Sequence, residues 1–323
     1  MKVCIYGAGA IGGWLGVRLA RQGAQVSAVA RGATLAALQD KGLRLHLQGE
    51  DLAALVRASD QPADLGAQDL VIVAVKAPAM AAVAAGIAPL LGPHTVVLTA
   101  MNGVPWWFFA GLGALAGTPL QAVDPHGDIA RAIPTHHIIG CVVHASCALE
   151  GPGRVRHHFG NGLIVGEPSG QVTPRVQSLV NTLQAAGFDA TRSAQIQKDV
   201  WYKLWGNMTV NPVSAMTGAT TDLILDDPLV RGFISQVMLE AREIGTRIGI
   251  PITQEPEDRH AMTRKLGAFK TSMLQDMEAG RPVELDALVT VVREIGHLTG
   301  VATPYTDALL GLARLHARMR GLY

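Results

Sequence analysis

The sequence is short of cysteine, short of charge, and without a bias in the sign of the charges it carries. Its three cysteines, Cys4, Cys141 and Cys147, show no C-x-x-C spacing. An odd number so placed argues against a disulfide framework and a zinc site, and suits a reducing compartment. Charged residues make up 16% of the 323 positions, 27 basic against 26 acidic. With a net charge of +1 there is no basic footprint for nucleic acid and no acidic tail. Uninterrupted apolar runs are missing too, although 49% of residues are hydrophobic and mean hydropathy is +0.25. Residues 96–123 carry no charge, but Asn102, Pro105 and several glycines break them up. A spanning helix needs roughly 20 continuous apolar residues. Lys2 ahead of apolar residues imitates a signal peptide, yet the glycines and Arg18 interrupt the apolar stretch. The composition describes a cytoplasmic protein with neither a membrane nor a nucleic-acid partner, long enough for two domains.

What is present begins at once. Val3-Cys4-Ile5-Tyr6 reads as a buried strand that breaks into Gly7-Ala8-Gly9-Ala10-Ile11-Gly12, followed by the apolar-periodic run Trp14, Leu15, Val17, Leu19. Strand, glycine turn and helix in this order match the G-x-G-x-x-G dinucleotide fingerprint. The first glycine makes the tight turn, the second admits a pyrophosphate, and the third lets helix and strand pack closely. The helix N-terminus offers free N–H groups and a favourable dipole to phosphate. A second strand, residues 24–30, ends at Arg31-Gly32. An NAD enzyme usually has Asp or Glu here for the ribose 2′-hydroxyl; Arg31 suits a 2′-phosphate and so NADP(H), the alternative being a solvated loop arginine.

Residues 43–52 suggest a hairpin. Residues 69–76 form a near-continuous apolar strand, as in a parallel sheet covered on both faces, ending in Lys76. Ligands collect at such carboxyl ends, so Lys76 is placed to meet cofactor, or is simply a surface lysine. The strand at residues 95–101 runs into Asn102-Gly103, either an amide for nicotinamide or substrate, or a plain turn. Trp106-Trp107-Phe108-Phe109 follow, and four consecutive aromatics cannot all face one core side. They are expected to form a lid, a pocket wall or a partner surface, which makes a homodimer plausible. Histidines cluster from His126 to His158, but none forms an i, i+4 pair beside a carboxylate, and no metal site is expected. Residues 138–144 and 154–166 read as short antiparallel strands, and residues 173–186 as an amphipathic helix ended by Gly187.

Beyond residue 192 strand signals stop and helical patterns take over, interrupted by Asn211-Pro212, Asp227-Pro228, Pro251, Gly280 and Pro282. The expected organisation is therefore an α/β domain at residues 1–192, its mostly parallel sheet carrying antiparallel additions, and an all-α domain at residues 193–323. In the second, Lys203, Asn207 and Asn211 recur every four residues on a stripe about 80° wide, flanked by Val200 and Leu204. A cation and two amides on an otherwise apolar helix need partners. A carboxylate- and carbonyl-bearing substrate would supply them; a structural polar stripe at a domain seam is the alternative. Arginine provides most of the basic residues, so a lysine here stands out, and lysine can give up a proton where guanidinium cannot. A second cluster runs from Ser272-Met273-Leu274-Gln275-Asp276 to Glu284-Leu285-Asp286, with Glu284 in the first turn of a helix, where the dipole favours a carboxylate.

Together the glycine motif, Lys76, Asn102-Gly103, the Lys203…Asn207…Asn211-Pro212 run and the Ser272 to Asp286 blocks resemble the ketopantoate reductases (2-dehydropantoate 2-reductases) over essentially the whole chain. The resemblance implies a Rossmann-type domain followed by a helical domain like that of 6-phosphogluconate dehydrogenase. It implies NADPH-dependent reduction of a small 2-oxo acid, with Lys203 as the general acid. Asn102, Asn207, Asn211, Ser272 and Thr221 would hold substrate. Gly7, Ala8, Gly9, Ala10, Ile11, Gly12, Arg31, Lys76, Asn102, Ser146 and Glu284 would meet cofactor. Three departures bear on the substrate: Val289-Thr290 replaces the family's usual Asn-Gly, Thr221 replaces an Asn, and residues 105–137 are unusually aromatic. A related 2-hydroxy-acid dehydrogenase and a non-catalytic NADPH sensor are the alternative readings.

Overall fold

The computed structural model describes all of residues 1–323. The chain forms two compact units, one of residues 1–101 with 127–196, the other of residues 102–126 with 197–323. The division is not the single boundary expected at residues 192/193, because residues 102–126 leave the sheet and pack with the helices. No helix is long and apolar enough to cross a membrane.

The first unit is a ten-stranded sheet with helices against it. Its strands are β1 (Lys2–Tyr6), β2 (Gln25–Val29), β3 (Leu43–Leu47), β4 (Glu50–Ala54), β5 (Arg57–Ser59), β6 (Gln68–Val73), β7 (Leu91–Thr99), β8 (Ile138–Gly151), β9 (Arg154–Gly166) and β10 (Asp189–Arg192). The helices are α1 (Ala10–Arg21), α2 (Gly32–Lys41), α3 (Met80–Gly86), α4 (Asp128–Ala132) and α5 (Pro174–Ala185). The sheet order is β4-β3-β9-β8-β7-β6-β1-β2-β5, with β10 beside β9. Strands β5, β2, β1, β6, β7 and β8 pair in parallel, and β8–β9 and β3–β4 are antiparallel. The expected hairpin at residues 43–52 is β3–β4. The antiparallel additions are there, but β8 and β9 are 14 and 13 residues long rather than short.

The apolar runs of β1 and β6 become the covered centre of this sheet: Val3, Cys4, Ile5, Val71, Ile72 and Val73 have no exposed surface. Helix α1 lays Trp14, Leu15, Val17 and Leu19 on it. The apolar groups of these two elements supply the dominant favourable term for the unit, roughly 2 kcal/mol for each large side chain fully buried. Because β1 has β2 on one side and β6 on the other, the strand order reverses there, and the glycine turn sits at that switch point.

The second unit is built around α6 (Ile196–Thr217), with α7 (Thr221–Asp226), α8 (Pro228–Arg247), α9 (Pro256–Arg264), α10 (Ser272–Glu278), α11 (Val291–Thr299) and α12 (Pro304–Arg318). A π-helical turn, Asp286–Thr290, leads into α11. Helix α6 does not stop at Asn211-Pro212 but continues to Thr217 with Pro212 inside it. The missing proline N–H removes one helical bond, and burial of α6 compensates: Trp201 and Trp205 are enclosed and donate their indole N–H groups to the Ala241 and Met238 carbonyls of α8 at 3.1 and 2.7 Å.

The aromatic run overturns its expectation. Trp106, Trp107, Phe108 and Phe109 are all buried, none more than 8% exposed, and form no lid or partner surface. Residues 105–112 are neither helix nor strand but successive tight turns, with N–H to C=O bonds from Phe108 to Pro105, Ala110 to Trp107 and Leu112 to Phe109. Turns aim consecutive side chains in different directions, so adjacent rings can all enter one core. Phe108 lies 5.8 Å from Trp201 between ring centres. The suggestion of a dimer drawn from exposed aromatics loses its basis.

Candidate active site

In the first unit the three glycines meet three different environments. Gly7 has φ +98°, and a Cβ there would lie 2.5 Å from Val75 Cγ1 and 3.0 Å from the Ala74 carbonyl oxygen. Gly12 packs tighter still: its Cβ would fall 2.1 Å from the Gly7 carbonyl oxygen and 2.8 Å from Ile5 Cγ2. Gly9, by contrast, has nothing within 4 Å of its Cβ position. It is the N-cap of α1, with no side-chain capping bond and no acidic residue in the first turn. The first and third glycines are thus needed by the fold, whereas the second leaves room beside uncapped helical N–H groups, the surroundings a pyrophosphate needs. Residues Ala8, Ala10 and Ile11 line the same turn. These residues fit a dinucleotide.

Arg31 is the exposed N-cap residue of α2, directly after β2 and Ala30. Its charge reaches Tyr6: burial pushes the Tyr6 phenol up, and the Arg31 cation pulls the other way. Lys76 follows the two residues that press on Gly7; β6 ends at Val73, so Lys76 is not the strand's last residue but the cap of the short helical turn that begins at Ala77. Ser146 lies on β8 opposite Phe159, where the register slips on either side of it. Burial pushes the Cys4 and Cys147 thiols up to about 12, so neither is a thiolate at neutral pH. No group of three or more His, Cys, Asp or Glu side chains is arranged to hold a metal.

In the second unit the chain brings together residues 101 positions apart: Lys203 Nζ donates to Asn102 Oδ1 at 2.7 Å. The bond fixes the ammonium at one end of the stripe that continues through the half-buried Asn207 and the buried Asn211. Asn102 is held in turn. Gly103 has φ +82°, and a Cβ there would collide with the Ala287 carbonyl oxygen at 2.5 Å; the Val104 N–H donates to that same oxygen at 2.8 Å. The turn carrying Asn102 is therefore docked on the π-helical turn, a feature frequent at functional sites. Glu284 stands just ahead of it. It is buried, and its carbonyl accepts from the Leu288 N–H, making it the residue before the first helical turn rather than a member of it. Asn102 thus ties Lys203 to the segment that follows Glu284.

Ser272 is the exposed first residue of α10, beside the capping Thr271. Thr221 has a different setting. It is 2% exposed, its hydroxyl donates to the Gly267 carbonyl at 2.7 Å and its N–H to the Phe269 carbonyl at 3.0 Å. Both donors anchor the chain at residues 267–269, a structural duty. Thr290, the other departure, donates to Asp286 Oδ1 at 2.9 Å.

Sequence reasoning missed Glu294. Its two carboxylate oxygens accept from the Gln121 and Ala122 N–H groups at 2.6 and 2.8 Å, pinning the far end of the segment that begins at Asn102. A glutamate on a helix flank carries no local signal of a contact 173 residues away. Nor does the sequence place Arg259, whose guanidinium lies on the turn of α6 between Lys203 and Asn207.

The family model described as Ketopantoate reductase PanE/ApbA matches residues 3–170, and that for the PanE/ApbA C-terminal part matches residues 195–317. The 2-dehydropantoate 2-reductase of Mesorhizobium japonicum is 46% identical over 325 residues, covering the whole of both chains. A crystal structure from Ralstonia solanacearum MolK2, whose own ketopantoate reductase assignment is provisional, is 60% identical with a TM-score of 0.97 over 100% of this chain and 99% of that one. A PanE/ApbA family ketopantoate reductase from Ralstonia eutropha JMP134 is 27% identical, with a TM-score of 0.85 over 99% and 100%.

Proposed function

The chain belongs to the ketopantoate reductase family, and from that premise we propose that it reduces 2-dehydropantoate to pantoate with NADPH, a step of pantothenate biosynthesis. The observation that carries the reading is the 2.7 Å bond from Lys203 Nζ to Asn102 Oδ1. It holds a proton-bearing ammonium at a defined point beside two further amides.

NADPH, when bound, would supply the hydride that the ketone carbon of the 2-oxo acid accepts. The glycine turn and the α1 N-terminus would hold the pyrophosphate, Arg31 would take the 2′-phosphate, and Lys76, Ser146 and Glu284 are the further residues that would meet the cofactor. Lys203 donates a proton to the ketone oxygen as negative charge develops there, leaving a neutral amine that solvent reprotonates. General acid catalysis of this kind contributes roughly 10²- to 10⁴-fold. Asn102 does two things: its Oδ1 orients the ammonium, and its amide N–H remains for cofactor or substrate. Asn207, Asn211 and Ser272 hold the carboxylate and hydroxyl of the substrate; Thr221 acts through the loop it anchors.

The test is a steady-state assay of NADPH oxidation with 2-dehydropantoate against a panel of branched and aromatic 2-oxo acids. The proposal expects 2-dehydropantoate to have the highest kcat/KM. A higher value for another oxo acid would reassign the substrate, and NADPH binding without turnover of any of them would refute catalysis.

A further inference from the structure

Arg259 of α9 is fixed by unusual means. Its guanidinium sits 5.1 Å from the centre of the Tyr202 ring. It lies on Gly206 so closely that a Cβ there would be 2.7 Å from Nε, 3.0 Å from Nη2 and 3.3 Å from Cζ. Its Nε–H is buried and finds no hydrogen-bond partner. Ring and glycine thus position the group by stacking and contact, and a buried guanidinium N–H left unmatched is costly.

The place is telling. Tyr202 and Gly206 each precede by one residue a member of the polar stripe, Lys203 and Asn207. On a helix, Gly206 stands about 60° around the axis from Lys203, so the guanidinium rests along the border of that stripe. Any side chain at position 206 would push it away. The unmatched Nε–H leaves this guanidinium a donor short of an acceptor beside the stripe, and a guanidinium fork matches a carboxylate in both geometry and charge. Thr221 meanwhile spends its hydroxyl on the Gly267 carbonyl, so one donor expected to face substrate is engaged elsewhere.

Resting on the oxo-acid reductase reading above, we propose that Arg259 is a specificity-determining residue that binds the substrate carboxylate, with Gly206 and Tyr202 as the seat that holds its guanidinium. Binding the carboxylate, which is charged before and after hydride transfer, stabilises ground and transition states alike. Its loss therefore raises KM and leaves kcat nearly intact.

The experiment compares wild type, Arg259→Ala and Arg259→Lys in steady-state kinetics with 2-dehydropantoate, alongside NADPH binding and thermal unfolding. Arg259→Ala is expected to raise KM by about 10- to 100-fold, the range for a lost charge-assisted bond, with kcat within about 3-fold of wild type and NADPH affinity unchanged. Arg259→Lys keeps the charge but not the fork, and is expected to recover only part of KM. The proposal is overturned if KM in Arg259→Ala stays within about 3-fold of wild type, or if Arg259→Lys restores every parameter. If Arg259→Ala does not fold, a folded Arg259→Lys with wild-type KM overturns it equally. Failure of wild type to reduce any 2-oxo acid would instead sink the reductase reading.

Discussion

The two glycines of the phosphate turn that differ most in their surroundings offer a paired experiment: Gly9→Ala and Gly12→Ala add the same methyl group three residues apart. At Gly9 the backbone, φ −78° and ψ −161°, is one alanine adopts freely, and no atom lies within 4 Å of the added carbon. The apo fold should be unharmed, or stabilised by as much as about 1 kcal/mol through a less flexible unfolded chain. At Gly12 the methyl would stand 2.1 Å from the Gly7 carbonyl oxygen and 2.8 Å from Ile5 Cγ2. Relief to a normal 3.4 Å contact demands a shift of more than 1 Å between α1 and the turn after β1, and neither partner is a flexible side-chain tip. Overpacking a tight site costs roughly 1–3 kcal/mol, more where backbone must move. That corresponds to a fall in Tm of several degrees, at about 2–4 °C per kcal/mol for a unit of this size. Scanning calorimetry without ligand should show Gly9→Ala at or above the wild-type Tm and Gly12→Ala well below it. Fluorescence titration with NADPH should show the reverse emphasis: Gly9→Ala loses about 10-fold or more in affinity despite its intact fold, because the methyl occupies the approach of the pyrophosphate. An unchanged Tm in Gly12→Ala, or wild-type NADPH affinity in Gly9→Ala, would refute the division of labour between the glycines.

Lys203→Ala should lower kcat by at least about 10²-fold with little change in NADPH affinity; a near-wild-type kcat would end its role as proton donor. Arg31→Asp should weaken NADPH far more than NADH, measured by titration with each, and equal losses would remove Arg31 from the 2′-phosphate. Burial alone would raise the Glu167 carboxyl, but hydrogen bonds from Arg175 and Thr173, with the Arg175 charge, hold it below the usual carboxylate range. A depressed folded pKa gives stability that is present above the unfolded value near 4.5 and lost as pH falls through the folded value. Arg175→Met should strand that carboxylate, whose side chain is 4% exposed, at a cost of about 3 kcal/mol at pH 7. Denaturant midpoints should then show the gap between variant and wild type narrowing as pH falls below the usual carboxylate value of 4.5, and a constant gap would contradict the assignment.

Which features were legible in the sequence follows from how local their causes are. The strand–turn–helix at Gly7 to Gly12 could be read because each glycine answers a constraint from the next few residues. The stripe of Lys203, Asn207 and Asn211 was legible because helical period is local as well. The bond joining Lys203 to Asn102 was not: each residue stands out for its own local reason, and nothing near either specifies a partner 101 positions away. Pro212 reads as a helix end because its missing N–H is a local fact, whereas the burial of Trp201 and Trp205 that carries α6 through it is tertiary. The run from Trp106 to Phe109 misled because periodicity assumes a regular element, and turns have no period. Thr221 reads locally as a substituted substrate contact, and nothing near it specifies the Gly267 carbonyl, 46 positions away, to which its hydroxyl donates.

Residues 102–126 belong with the helices although sheet residues come before and after them. The polypeptide therefore passes between its two units three times, after residues 101, 126 and 196. During synthesis Phe108 leaves the ribosome 93 residues ahead of Trp201, its ring neighbour. At about 5–20 residues per second, four large aromatic rings wait roughly 5–20 seconds for the core that will receive them. The nascent chain thus displays an apolar segment that the finished molecule conceals. A chimera spliced once, near residue 193, would inherit the helices of one parent and the aromatic plug of the other, and interchange of whole units requires cuts at all three passages.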